Sequence, residues 1–217
     1  AVRQDPAVLS ASAAERKASA VELARVIGVL EVDLPEVSAP GRPAASLRLI
    51  TRAMRHALAR RKVPVDGVLH GCFLESTIKA GPKTIGDAWE IVPFENRLCT
   101  AGFTRDELVA ILDETFNAKR STHNLDGFEV RVEKVRRTWQ VKDVRLAGGR
   151  PLEPGRRYRV ALNSFDAQSG GRRFPNLQRF AAAREAGLSY LDIESREALI
   201  EWFTEKGQIG AADLGLD

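Results

Sequence analysis

The chain has 217 residues, 44% of them hydrophobic and 29% charged, a balance that supports one sizeable core or two small ones and excludes a disordered polypeptide. No run approaches the roughly 20 apolar residues of a membrane-spanning helix. Two cysteines, Cys72 and Cys99, are too few for a disulfide framework or a four-thiolate zinc site and leave a single disulfide open. The 33 basic and 29 acidic residues, net +4, are mixed rather than polarised, so charge alone selects no anionic partner.

The chain opens Ala1-Val2-Arg3-Gln4-Asp5 with no initiator Met, basic n-region or apolar h-region, so no export signal is read in it and a processed or cut piece is expected. Asp5-Pro6 reads as an N-cap followed by proline at the first helical position. The Ala-rich run after it predicts a helix to about Ala24 that carries few large apolar residues, as a solvated connector would. Val26 to Leu34 predicts a strand, and Pro35 to Pro43 a loop. Leu47, Ile50, Met54 and Leu58 recur at helical spacing, with Arg48, Arg52 and Arg55 on another face. Val65 to Leu69 predicts a short buried strand, Gly71 to Pro82 a loop, and Gly86 to Ile91 a brief helix that Pro93 stops.

Thr104-Arg-Asp-Glu107 is a capping box opening a helix whose apolar stripe is Leu108, Ile111, Leu112 and Thr115 or Phe116. Phe128, Val130 and Val132 alternate with charged residues, predicting a half-buried strand, and Trp139 to Leu146 its neighbour. Arg157 to Phe165 continues the β pattern, with Tyr158, Val160 and Leu162 on one face, until Ser169-Gly170-Gly171 breaks it in a loop suited to function. Ser195 predicts the cap of a last helix carrying Leu199, Trp202 and Phe203; Gly207 to Asp217 is weakly specified. Helices and strands alternate irregularly, and no Gly-rich nucleotide fingerprint follows a strand. The expected class is therefore α+β, with mixed sheets and packed helices rather than a doubly wound parallel sheet.

The stretch Ala80-Gly81-Pro82-Lys83-Thr84-Ile85-Gly86-Asp87, continuing to Pro93-Phe94-Glu95-Asn96, resembles the Ala-Gly-Pro-Ile-Thr-x-Gly-Asp … Pro-Phe-x-Asn signature of the 5′-nucleotidase C-terminal domain. Further matches follow in order: Phe103-Thr104 before a helix, Gly149-Arg150-Pro151-Leu152, Tyr158-Arg159-Val160, Asn163-Ser164-Phe165 and Gly170-Gly171. The resemblance implies a connector helix over residues 1–25 and a 5′-nucleotidase C-terminal-like domain over 26–217. It also implies a partner, an N-terminal metallophosphoesterase domain that holds two divalent metal ions and attacks the phosphoester. The C-terminal domain then recognises a nucleoside or nucleotide-like small molecule. The location implied is periplasmic or extracellular. In this chain itself no cofactor or metal site is expected, since His56, His70 and His123 stand at no metal-ligand spacing and no His-Glu-x-x-His motif occurs.

On this resemblance Phe94 and Phe165 are the pair that sandwiches a flat base, a role suited to aromatic faces, and Asn96 is the amide that both donates and accepts at the base edge. The polar contacts differ. His70-Gly71-Cys72-Phe73-Leu74-Glu75 stands where the family reads Asn-Gly-Gly-Gly-Ile-Arg, so Glu75 replaces a phosphate-pairing arginine. Gly170-Gly171-Arg172-Arg173-Phe174 stands for Gly-Gly-Asp-Gly-Phe, so Arg172 replaces a sugar-binding carboxylate. The candidate ligand residues are thus His70, Gly71, Glu75, Phe94, Asn96, Phe165, Gly170, Gly171 and Arg172, with no catalytic residue in the chain. Two other readings are weighed: a non-catalytic module derived from the same domain, and a nucleic-acid binder using Arg48, Arg52, Arg55, Arg60, Arg61, Arg172 and Arg173, the less favoured because arginines on an amphipathic helix are ordinarily a solvated face.

Overall fold

The structure is a computed structural model and describes residues 10–72 and 76–216. The expected Asp5-Pro6 cap and Glu75 lie outside the described residues.

Helix α1 (Ala13–Leu23) buries none of its residues, as its Ala-rich, charge-bearing sequence requires. Strand β1 (Val26–Leu30) follows, then the proline loop and α2 (Ala45–Arg60), whose apolar stripe of Leu47, Ile50, Met54 and Leu58 is fully buried. After β2 (Gly67–His70) and β3 (Gly81–Thr84) comes α3 (Ile85–Ile91). It opens with a reciprocal capping box in which Thr84 Oγ1 accepts from the Asp87 amide and Asp87 accepts from the Thr84 amide. Strand β4 (Arg97–Phe103) leads into α4 (Arg105–Asn117), where the expected Thr104–Glu107 box forms. Then come β5 (Asn124–Asp126) and the hairpin of β6 (Phe128–Val135) and β7 (Thr138–Leu146). The remainder is β8 (Tyr158–Asn163), α5 (Ser164–Ala167), α6 (Pro175–Ala182), β9 (Ser189–Glu194), α7 (Ser195–Lys206), β10 (Gln208–Ile209) and α8 (Ala211–Leu214).

Among the described residues the strands form a small sheet in the order β10-β1-β3, a five-stranded sheet β5-β2-β8-β4-β9, and the separate β6-β7 ribbon. The pairing is mixed: β2 and β8 run parallel, while β8 with β4 and β4 with β9 run antiparallel. This is the expected α+β class with mixed sheets.

The five-stranded sheet is covered on both faces, and period-two alternation sorts its residues between two cores. Val68, Leu98 and Ala161 face the core shared with α2 and α7. Leu69, Cys99, Ala101, Phe103, Tyr158, Val160 and Leu162 face the core shared with α4, α6 and the ribbon. Double coverage explains why β4 is missing from the sequence reading. A strand buried on both sides shows no polar alternation, and Leu-Cys-Thr-Ala-Gly carries little β-branched content.

Three other expectations are corrected. The β pattern stops at Asn163, and Phe165 sits on the single turn α5, because the Asn163 side chain caps the Asp166 amide and turns the chain. Ser195 is the first helical residue of α7, whose cap is Glu194 paired with Glu197. The tail is not loose: Ile209 and Leu214 are fully buried, β10 pairs with β1, and Arg48 Nη1 donates to the Gly215 carbonyl at 2.6 Å.

Helix α7 lies so close to β1 that a Cβ on Gly28 would sit 2.9 Å from the Phe203 carbonyl oxygen and 3.1 Å from its ring. Phe203 fills that contact. Truncation in Phe203→Ala should lower stability by about 3–5 kcal/mol, read as a shift of the urea midpoint at unchanged slope.

Candidate functional site

The site is assembled where adjacent strands enter and leave the five-stranded sheet. Leu98, near the start of β4, pairs with Asn163, the last residue of β8. The segment that precedes β4, Pro93 to Asn96, and the segment that follows β8, Ser164 to Phe174, therefore emerge at the same end of the sheet. Phe94 is on the first and Phe165 on the second, respectively 52% and 42% exposed although most aromatic rings here are buried.

Each aromatic is held by its own local framework. On the Phe94 side, the Asn96 carbonyl accepts from the Ser195 amide at 3.0 Å, fastening the loop to the start of α7. Arg196 lies 3.4 Å over the Trp89 ring and reaches the Val92 carbonyl and Glu95. Asn96 itself is half-buried. On the Phe165 side, Asn163 Oδ1 accepts from the Asp166 amide at 2.8 Å and Asn163 Nδ2 donates to Asp166 Oδ2 at 2.7 Å. The Phe165 carbonyl accepts from the Gly170 amide at 2.9 Å and closes the turn.

Beneath these loops lies a polar network that the sequence reading did not single out. Asp166 is fully buried; its Oδ2 meets His123 Nε2 at 2.9 Å, and His123 Nδ1 lies 3.1 Å from Ser121 Oγ. The edge of His123 packs on Phe174, with centroids 4.8 Å apart. Thr122 ties the 121–123 segment to Cys72, accepting from its amide and donating to its carbonyl. The signal available in the sequence was Asn163-x-x-Asp166, a helix-cap spacing; that His123 would meet it could not be read, since forty-three residues separate the pair.

The expected ligand residues divide accordingly. Phe94, Phe165, Gly171 and Arg172 are exposed, whereas His70, Gly71 and Gly170 are buried. His70 lies at the end of β2 with its Nδ1 turned toward the backbone of Gly71, below the surface that a ligand would touch. Gly71 is there for space: a Cβ would sit 2.7 Å from the His123 ring. Gly170 likewise abuts the Phe174 ring at 2.5 Å from its added Cβ, and Asp166 Oδ1 at 3.3 Å. These residues support the site from beneath.

Burial sets the charge states. Desolvation would raise the Asp166 pKa, but the attraction and hydrogen bond of His123, with His70 and Asn163, hold it below the ordinary carboxylate range. Desolvation lowers the His70 pKa, only partly opposed by Asp166. Cys99 is a buried free thiol pushed up to about 12 by burial and then by Asp166. Cys72 is also buried, and the open disulfide between the two does not form.

Among the described residues His56, Glu201 and Glu205 bring ligand atoms within 4.8 Å of one another, a cluster invisible to spacing because α2 and α7 supply it jointly. Its carboxylates are already paired with Arg60 and Arg61, and two guanidinium groups beside them oppose a divalent ion. These residues do not fit a two-metal centre. Four arginines of the nucleic-acid reading are engaged within the fold: Arg48 bonds the tail carbonyls, Arg55 pairs with Asp126, and Arg60 and Arg61 face Glu201. No helix among the described residues is long and apolar enough to cross a membrane.

A mixed five-stranded sheet packed by helices, with two exposed aromatics at one end, defines an α+β domain. The profile described as "5′-nucleotidase, C-terminal domain" matches residues 26–179, and the chain belongs to that family. Among solved structures it is similar to a 5′-nucleotidase precursor from Thermus thermophilus (TM-score 0.76, 22% identity, 92% of this chain and 40% of that one). Haemophilus influenzae NAD nucleotidase is similar at TM-score 0.72 and 17% identity, over 97% of this chain and 41% of that one. A Thermus thermophilus sulfate thiohydrolase follows at TM-score 0.62 and 16% identity, over 94% and 36%. At these identities the likeness is one of fold, and the chain spans about 40% of the first of these proteins. No curated protein sequence matches.

Acid should loosen this architecture. His70 has a lowered folded pKa, so its contribution is full above its ordinary value of 6.5 and is lost as pH falls below it; that of Asp166 is lost below its ordinary 3.8. His56, lowered by burial, acts in the same direction as His70. Tm should therefore fall between pH 7 and pH 5, and His70→Asn should flatten part of that slope; an unchanged slope in the variant would show that His70 is not its source.

Proposed function

We propose that this chain is the substrate-recognition half of a two-domain 5′-nucleotidase-type metallophosphohydrolase, with Phe94 and Phe165 clamping the flat group of a nucleotide or related phosphoester. The observation that carries the reading is the emergence of two half-exposed phenylalanines beside adjacent strands at one end of a doubly covered sheet, on segments anchored by Ser195 and by the Asn163–Asp166 cap. Large aromatic rings are ordinarily buried, and exposed ones on anchored loops suit stacking.

In this reading α1 belongs to the connector of residues 1–25, and residues 26–217 form the recognition domain. A partner N-terminal metallophosphoesterase domain would hold the two divalent ions and supply the Lewis-acid chemistry. Family membership supports that partnership. A periplasmic or extracellular location is part of the same proposal. The similar solved proteins bear names as different as 5′-nucleotidase, NAD nucleotidase and sulfate thiohydrolase. Substrate choice is therefore assigned to the loops and not to the fold.

Stacking on one aromatic contributes about 1–3 kcal/mol per base. In calorimetric titrations with adenosine, a nucleoside monophosphate and a nucleotide sugar, at least one should bind. Phe94→Ala and Phe165→Ala should each weaken that ligand by about tenfold. Failure of all three to bind, or full affinity in both variants, would sink the clamp.

A further inference from the structure

The loop beside Phe165 has an unusual backbone. Ser169, Gly170, Gly171 and Arg172 have φ of +82°, +53°, +70° and +69° in succession. Two of the four carry side chains that disfavour this region, so the surroundings hold the loop there. Ser169 Oγ accepts from the Arg172 amide at 3.0 Å, the Ser169 carbonyl from the Phe174 amide at 2.8 Å, and the Gly170 carbonyl from Arg173 Nε at 2.8 Å. The loop borders the aromatic face directly: a Cβ on Gly171 would lie 3.5 Å from Phe165 Cζ.

The charges on this rim are one-sided. Arg173 is turned inward, over the Phe174 ring at 4.9 Å. Arg172 is exposed and makes no ion pair among the described residues. The one carboxylate between Asn163 and Phe174, Asp166, is fully buried, its Oδ2 engaged by His123 and Asn163 and its Oδ1 beneath Gly170 without a partner. It stabilises the loop from below and is out of reach of a ligand.

Resting on the clamp reading, we propose that the ligand's flat group carries an anionic substituent, carboxylate or phosphate, on its Phe165 side, bound by Arg172, in place of a neutral diol. A carboxylate would receive both hydroxyl protons of a diol, and the one carboxylate of this segment is buried; a guanidinium only donates, and its planar fork matches the oxygens of a carboxylate or phosphate. The left-handed turn fixes where the Arg172 side chain leaves the backbone, one residue after the Gly171 that abuts the Phe165 ring.

The test uses probes that share one ring: 2-naphthoate, 2-naphthyl phosphate and neutral 2-naphthamide, titrated into the chain at low salt. At least one anion should bind about tenfold tighter than the amide, and the preference should shrink to about twofold or less in Arg172→Gln. Arg172→Gly, which accepts the left-handed φ without strain, should give the same loss, separating charge from loop distortion. Phe165→Ala should weaken all three probes. Equal binding of the amide and both anions to wild type, or a preference that survives in both Arg172 variants, overturns the anion site and leaves the clamp standing. If no probe binds, or Phe165→Ala binds them as well as wild type, the clamp fails and this inference falls with it.

Discussion

A carboxylate taken fully out of water must be met by donors, and at Asp166 the residues that meet it organise the end of the sheet that carries Phe165. Asn163 supplies its amide and simultaneously caps the turn that carries Phe165. His123 arrives on the segment between α4 and β5, with Ser121 against its ring and Thr122 holding the exit of β2 at Cys72. An unpaired charge in that position would cost several kcal/mol. The network is therefore a constraint on three chain segments at once: the ends of β2 and β8, and the approach to β5.

The doubly covered sheet makes such a constraint possible. Because β2, β8 and β4 divide their side chains between two cores, their ends are held in position by packing on both faces. Loops leaving these ends inherit a fixed origin. The Phe94 loop gains a second fastening from α7 through Ser195 and Arg196, so both aromatic positions rest on held segments while the two residues remain about half exposed. In the proposed clamp, a fixed pair of faces would lose little ordering entropy on binding a flat group.

The arginines show how tertiary context reassigns charge. On α2 they form a stripe that sequence alone could present to a polyanion. In the folded chain Arg48 satisfies tail carbonyls, Arg55 pairs with Asp126, and Arg60 and Arg61 neutralise glutamates of α7. Arg172, placed on a left-handed turn with no ion-pair partner among the described residues, keeps its charge for solvent or a ligand. Equal residues thus take different roles according to what the fold brings beside them.

The sequence by itself determined whatever depends on neighbours in the chain. It specified the helix carrying Leu47, Ile50, Met54 and Leu58 from its apolar spacing, the Thr104–Glu107 box, the β6–β7 ribbon from its alternation, the α+β class, and the Pro93-Phe94 stop after a brief helix. Only the tertiary structure decided matters that depend on distant partners. Strand β4 was hidden because burial on both faces removes the polar alternation that marks a strand. The helical turn at Phe165 depends on Asn163 being used as a cap, and the order of the tail on a strand pairing with β1. His70 and Gly71 lie beneath the site and not at its surface because His123, more than fifty residues later, packs against them. Local pattern fixes elements, but a buried charge and the partners that compensate it become visible only when the chain is closed.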